Sequence, residues 1–230
     1  DNLSGLIIDI YDKTAVVQAH SPGMHYARHT LAQALKEVMG DALQSIYYKS
    51  ETTLPYKAEL DPENEYLFGE NAGNIATEYG LKFHVDWLRG QKTGFFLDQK
   101  ENRAAIHRIC KDKDVLDCFT HTGSFALNAG IAGAKSVLGI DVSQHAVDCA
   151  TRNSELNNLQ NIVKFECHNA FDVLSSWSKE GKQFDVVILD PPAFTKSRNT
   201  INGAKRGYKE INLRGLKMVK PGGSFIPCSC

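Results

Sequence analysis

The sequence predicts an α/β fold: a doubly wound, mostly parallel sheet over residues 81–230, preceded by a small α+β domain over residues 1–80. Three observations carry this expectation. From Asp112 onward, strand-like and helix-like segments alternate strictly, which implies a parallel sheet with helices on both faces. Residues 186–189 form an apolar run of branched side chains without alternation, as in a strand buried on both faces. That run ends in Asp190-Pro191-Pro192-Ala193-Phe194, and prolines, lacking an N–H, stop a ladder. Asp190 is thereby placed at the carboxyl end of a central strand, where open α/β sheets bind ligands.

The first part has a mixed texture. Residues 6–10 and 15–19 read as two strands joined by a hairpin at Tyr11-Asp12-Lys13-Thr14. Residues 29–39 read as an amphipathic helix with Leu31, Leu35 and Val38 on one face, ended by Gly40-Asp41. Residues 44–49, 65–68 and 74–78 are strand candidates, with a turn at Pro62-Glu63-Asn64. Another strand is expected over residues 83–87, then a glycine-bounded loop over 90–94. Asp98 is positioned to cap a helix running to about Ile109, with Glu101 at the capping-box position.

The second part alternates. Strands are expected over residues 115–119, 136–140, 163–167, 184–189 and 224–228. Helices are expected over 124–132, 145–157, 170–178 and 207–218. No repeat or low-complexity segment is visible. An apolar share of 42% with 23% charged residues is that of an ordinary globular protein. The apolar runs are strand-length, which excludes a membrane-spanning helix. The first residues lack a charged n-region and an apolar h-region, so no leader is expected there. The chain starts without Met and ends on an apolar strand-like run, as a fragment would.

The six cysteines form no C-x-x-C pair and no zinc spacing, so no metal site is expected. Reduced thiols in a cytoplasmic protein, most of them buried as small hydrophobes, are the expectation. A net charge of −1 argues neither for nor against nucleic acid. The distribution is more informative, because Lys196, Arg198, Lys205, Arg206, Lys209, Arg214, Lys217 and Lys220 follow the Asp-Pro-Pro turn closely. Such a segment suits phosphates, or is one solvated helix face.

Four successive predicted strand ends carry a polar residue: Asp117, Asp141, Asn169 and Asp190. The turn after the first holds Phe119, Thr120, His121, Gly123 and Ser124. With one glycine instead of G-x-G-x-x-G, it does not read as a dinucleotide pyrophosphate site, which disfavours a nicotinamide oxidoreductase. Asp117 suits the cationic amino-acid end of a ligand without phosphates. Asp141, followed by Val142, stands where a ribose diol is bonded. Asn169, Ala170 and Phe171 suit an adenine edge and face, and Asp190 with Pro191 closes the row. Each residue alone would serve as a helix cap; four in phase on one sheet edge resemble the class I S-adenosylmethionine-dependent methyltransferase pattern.

More specific motifs sharpen this. Gly94-Phe-Phe-Leu-Asp-Gln-Lys-Glu-Asn-Arg103, Asp190-Pro-Pro-Ala-Phe-Thr-Lys-Ser-Arg198, Arg206-Gly-Tyr-Lys-Glu-Ile-Asn-Leu-Arg214 and Pro221-Gly-Gly…Cys228-Ser-Cys230 resemble the PUA-linked 23S ribosomal RNA cytosine-C5 methyltransferases. The resemblance covers nearly the whole chain. It implies S-adenosylmethionine as cofactor, with Gln99 and Arg103 among its contacts. It implies RNA, in particular large-subunit rRNA, as partner, no membrane, and a homodimer as an admissible assembly. The family's PUA domain and final strands are not represented. Two departures stand out: Asn169 occupies a position where Asp is common, and Pro227 one where Thr or Ser often precedes the cysteine.

The chemistry implied is covalent. Carbon 5 of cytosine is a poor nucleophile until a thiolate adds to carbon 6. Cys228 is the cysteine that the motif designates; Cys230, two residues on and on the same strand face, stays an alternative. Asp190 would hydrogen-bond or protonate the ring nitrogen, which requires a pKa raised by partial burial. Ala193 stands where some related enzymes carry a second cysteine, so one cysteine carries the step and the proton-abstracting base is unassigned. Phe194 would stack on a base held out of the RNA fold or pack in the core; Lys196, Arg198, Lys205 and Arg206 would meet phosphates. The alternatives are a guanine N-methyltransferase using the same turn without a nucleophilic cysteine, and a catalytically idle RNA-binding module.

Overall fold

The computed structural model describes residues 3–55, 59–195 and 200–228, and the chain divides into two compact units, 1–97 and 98–230. The division falls after Leu97 and not after residue 80. The reason is pairing: β5 (Ile75–Glu78) and β6 (Leu81–His84) form an antiparallel hairpin that a break at 80 would cut.

In the first unit, β1 (Leu6–Tyr11) and β2 (Thr14–Ala19) form the expected hairpin, with Asp12 taking the left-handed turn position. Two helices follow, α1 (Pro22–Tyr26) and α2 (Arg28–Met39), and carry the chain over to β3 (Ser45–Tyr48), parallel to β2. β4 (Glu65–Phe68) closes a four-stranded sheet of order β1-β2-β3-β4. The short α1 went unpredicted, although Ser21, whose side chain accepts from Met24 N, and Pro22 in the first turn are ordinary start signals. On α2 the core-facing residues are Ala32, Leu35 and Met39, whereas Val38 is 83% exposed, contrary to expectation. Sheet residues Ala15, Val17, Ile46 and Tyr48 complete that core. The 90–94 loop is tied to β1, since Thr93 Oγ1 donates to Asp9 (2.6 Å) and Tyr11 Oη is 2.8 Å from Thr93 Oγ1.

A 3-10 turn (Leu97–Gln99) leads into α3 (Lys100–Ala105) and α4 (His107–Cys110). Gln99, not Asp98, is the capping residue, and the expected single helix breaks at Ile106. Strict alternation follows: β7 (Asp114–Cys118), α5 (Ser124–Ile131), β8 (Ser136–Asp141), α6 (Gln144–Leu156), β9 (Val163–Cys167), α7 (Ala170–Lys179), β10 (Phe184–Leu189), α8 (Ile201–Lys217) and β11 (Val219–Pro227). The five strands are parallel in the order β11-β10-β7-β8-β9. The chain therefore winds outward from β7 to β9, then returns to the other side of β7. This reversal makes a topological switch point between β7 and β10, where such sheets bind ligands.

One sheet face, with Leu116, Cys118, Ile140, Val187 and Leu189, packs on Leu174 and Trp177 of α7 and Ile211 of α8. The other face lies under α5 and α6, with α3 and α4 against α5. Glycines permit two close approaches. At Gly215 a Cβ would sit 2.8 Å from the Phe225 ring, and at Gly223 one would sit 2.6 Å from the Asp185 carbonyl oxygen.

Lys220 staples the amino-terminal edge of the sheet, its Nζ lying 3.0 Å from both Asp114 and Asp185. The Asp114 carboxyl is held below its ordinary value, first by the Ser136 hydroxyl and then by Lys220. Asp185 is likewise held low, first by the Asp114 N–H and then by Lys220. Depressed carboxyl pKa values stabilise the fold above the unfolded value of 3.8, and that contribution is lost as pH falls through the folded values. Lys220→Met is expected to lower stability at pH 7. Its deficit against the parent protein should shrink as pH falls below 3.8 and vanish once both carboxyls are protonated in the folded state, as read by urea denaturation across that acid range.

Candidate active site

The strand ends expected to hold a ligand come together at the carboxyl edge of the parallel sheet. Asp117, the penultimate residue of β7, is 1% exposed. Its Oδ2 accepts from Thr120 Oγ1 (2.6 Å) and from the Ala126 N–H (3.0 Å) in the first turn of α5. Asp141, ending β8, accepts from the His121 N–H and the Ser143 N–H, both at 3.0 Å. Asn169 caps α7 by accepting from the Phe171 N–H (2.9 Å). Capping and ligand binding do not compete here: a carboxylate offers about four acceptor positions, and an amide that accepts through its oxygen still has two N–H donors.

The loop between β7 and α5 is strained. Phe119 (φ 63), His121 (φ 51) and Gly123 (φ 81) all take left-handed conformations, which for a non-glycine residue costs about 1–2 kcal/mol. The Asp141 bond to His121 and a bond from Thr120 N to Ile140 O (3.0 Å) hold it. Gly123 also lacks room for a side chain, because a Cβ would lie 2.7 Å from the Phe165 ring. Strain of this kind concentrates at ligand sites. The sequence gives no signal for it at Phe119, since Phe is not a left-handed former, whereas His is among the residues enriched there. Ser124 opens α5, exposed Val142 follows Asp141, and Ala170 is buried beneath Asn169.

Burial drives the Asp117 carboxyl up to about 7; the neighbouring charges of Asp190 and Asp141 push in the same direction, against the Thr120 and Ala126 bonds. Two further carboxylates that raise the cost of ionising Asp117 suit a cationic ligand.

Asp190 and Cys228 are brought side by side. Leu189 pairs with Cys118 on one side and with Pro227 on the other, and Cys228 N donates to Leu189 O (2.8 Å). Residues 190 and 228 thus end adjacent parallel strands, one pleat beyond the core-facing Leu189, and share the face that carries α3–α5. Pro227 fits this geometry. N–H groups alternate along a strand, so with Cys228 N turned toward β10 the missing donor of Pro227 faces the outer side. Cys228 lines a cavity of about 430 Å³ with Gln99, Asn102 and Arg108.

The other described cysteines offer no comparable arrangement. Burial pushes the Cys110 thiol up to about 11 and the Cys118 thiol well above its usual value, so both stay protonated at neutral pH. Cys149 is half-buried, 3.7 Å from His145, and exposed Cys167 meets the Val142 carbonyl at 3.4 Å. Fewer cysteines are buried than expected. Cys230 lies outside the described residues.

Other predicted residues are placed differently. Arg103 is fully buried on α3, while Gln99 lines the Cys228 cavity. Phe194 packs against Phe171 (5.9 Å between ring centroids) and Tyr208 (4.5 Å), over Gly207, where a Cβ would come within 3.1 Å of it. This is the packing alternative for Phe194. Buried Pro191 starts that turn. Lys205 and Arg206 are exposed on α8, whereas Arg214 is committed to Glu210 (2.5 Å) and the Phe171 carbonyl. Lys196 and Arg198 lie outside the described residues.

The sheet order and strand-end residues define a Rossmann-like methyltransferase domain of class I. Residues 22–230 match the S-adenosylmethionine-dependent methyltransferase family (Methyltrans_SAM), and the chain belongs to it. It is 40% identical over 235 residues to a protein of Vibrio parahaemolyticus named ribosomal RNA large subunit methyltransferase I, covering 100% of this chain and 59% of that one. A protein of the same name from Pseudoalteromonas translucida is 40% identical over 233 residues, covering 100% and 58%. The chain thus spans under two thirds of the length of these curated relatives. Among solved structures, SMU.776 complexed with SAH superposes with a TM-score of 0.81 at 21% identity, covering 97% of this chain and 57% of that one, which shows the shared fold.

S-adenosylmethionine is the family's cofactor, and its positively charged sulfonium and ammonium groups fit the carboxylate cluster. In the ligand-free protein, Asp117 is protonated below about pH 7. A cationic ligand favours its ionised form, so binding releases a proton. Affinity for S-adenosylmethionine is expected to fall by up to about tenfold per unit as pH drops below 7, and to level off above it. Calorimetry across pH 5.5–8.5 reads this, and Asp117→Asn should flatten the slope.

Proposed function

We propose that the chain carries the catalytic part of a cytoplasmic enzyme that methylates carbon 5 of a cytosine in large-subunit ribosomal RNA through a covalent Cys228 adduct. The observation that supports it most is the Cys228 N to Leu189 O bond, which sets Cys228 beside Asp190 at the carboxyl edge of the sheet. The names of the relatives point to large-subunit rRNA as the substrate.

The Cys228 thiolate adds to carbon 6 of the cytosine, forming the S–C6 bond, while Asp190 gives a proton to the ring nitrogen. The C5=C6 pair shifts into the C4–C5 bond and the C4=N3 pair takes up that proton, so carbon 5 becomes enamine-like. S-adenosylmethionine, when bound, supplies an electrophilic methyl group. Loss of the carbon 5 proton to a base expels the Cys228 thiolate, and the ring nitrogen returns its proton to Asp190. Such covalent catalysis splits one difficult substitution into easier steps. Burial of Cys110 and Cys118 leaves Cys228 as the thiol beside Asp190 among the described residues. A guanine-nitrogen acceptor would give Cys228 no part in the chemistry.

Cys228→Ala in the full-length protein is expected to lower kcat for RNA methylation on the order of a thousandfold or more with cofactor affinity unchanged. Denaturation-resistant adduct formation with RNA containing 5-fluorocytidine should disappear with it. Methyl transfer surviving at parental rates in Cys228→Ala would sink the covalent mechanism.

A further inference from the structure

The cavity beside Cys228 has walls that the chemistry so far leaves unused. Ile106 and Ile109 of the α3–α4 segment and Ile226 of β11 supply apolar surface. Gln99 and Asn102 supply amides, and Arg108 a charge at the rim. Its volume of about 430 Å³ falls in the range of small-ligand sites, roughly 300–1,000 Å³. We propose that this cavity receives the target nucleotide, with the hydrogen-bonded Gln99–Asn102 amide pair reading the edge of its base. The inference rests on the covalent reading of Cys228.

The amide pair carries the argument. Asn102 Nδ2 donates to Gln99 Oε1 at 2.7 Å. That bond couples the two groups and leaves one amino group and one carbonyl oxygen of the pair outside it. Reversing both amides would leave the same complement. With N3 engaged by Asp190, the carbonyl oxygen of the pair can accept from the N4 amino group of a cytosine and its amino group can donate to a neighbouring acceptor of the nucleotide, as amide side chains read base edges elsewhere. A purely apolar cavity could grip a ring but could not tell cytosine from uracil.

Topology assigns this cavity to the substrate and not to the cofactor. Asp117 and Asp141 lie at the ends of β7 and β8 and Asn169 just after β9, on one side of β10. Cys228 follows β11, at the opposite edge of the sheet. Neighbouring strands lie about 4.8 Å apart, so Cys228 is two strand spacings, about 10 Å, from Asp117 across the sheet. That separation leaves the cofactor-side carboxylates and the cavity on opposite sides of Asp190. The reacting carbon must meet Cys228 and Asp190 together, and the cavity opens at Cys228. Gln99, which family resemblance alone had put with the cofactor, is accordingly reassigned to the base. Arg108 is placed for a flanking phosphate.

The test uses the full-length protein with Asn102→Leu, Gln99→Leu and Arg108→Gln. Each amide replacement should raise the KM for an RNA substrate about tenfold or more while the Kd for S-adenosylmethionine stays within about twofold. Arg108→Gln should raise the RNA KM and weaken its salt dependence. Weakened cofactor binding with an unchanged RNA KM would assign the cavity to the cofactor and overturn the proposal, as would no change in either. Should the leucine variants melt early, near-isosteric Asn102→Asp reads the same split. Wild-type protein that methylates RNA yet forms no 5-fluorocytidine adduct would overturn the Cys228 mechanism instead, and the KM comparison would still decide the cavity.

Discussion

The register of β10 between β7 and β11 is the constraint on which the site depends. Residues Val186 to Leu189 are almost entirely buried, and each is paired on both sides. A slip of one residue would move Val187 and Leu189 off the face that packs on α7 and α8 and put Val186 and Ile188, buried on the opposite face, in their place. Side-chain alternation makes such a slip move every residue to the other face. Asp190 is therefore held by the packing of the strand beneath it, and Cys228 by a backbone bond to the same Leu189 carbonyl. Two residues far apart in sequence become neighbours without any direct bond between their side chains being needed.

The cofactor side obeys a different economy. A carboxyl group buried like Asp117 is costly when charged, and Asp141 and Asp190 raise that cost. Its bonds to Thr120 and Ala126 offset part of it and fix the loop that starts α5. The remaining penalty falls away when positive charge arrives. The same carboxyl thus shapes the loop in the ligand-free protein and favours a cationic ligand afterwards. Strain at Phe119 and His121 persists because Asp141 and the β8 backbone hold that loop from outside.

The second unit was legible in the sequence because strand and helix segments alternate strictly and because β10, buried on both faces, leaves an uninterrupted apolar run over residues 186–189. Strands β9 and β10 match the residues expected, and the four polar strand ends fall on one edge. What was not legible depended on long-range partners. The boundary lies beyond residue 80 because β5 pairs with β6, a short hairpin with little apolar signal. Asp98 has the residue type of a cap, yet the 3-10 turn moves that position to Gln99. Val38 fits the helical period but stays exposed, while its neighbour Met39 packs on the core. Left-handed Phe119 has no compositional signature at all.

Motif glycines and aromatics gain a physical meaning that pattern matching lacks. Gly207 is small because the Phe194 ring lies against it, and that ring is wedged between Phe171 after β9 and Tyr208 on α8. Phe194 thus connects the turn following Asp190 to the segment following Asn169. An aromatic at this position need not touch a substrate base to matter for the chemistry. By anchoring the turn to two helices, it restricts how far the backbone after Asp190 can move when a ligand enters. Proximity is productive only within a narrow range of geometry, so a packed Phe194 is the stronger contribution to holding Asp190 against Cys228. The rings that a motif search would assign to recognition then belong to positioning, and recognition passes to the polar groups of the cavity on the far side of β10.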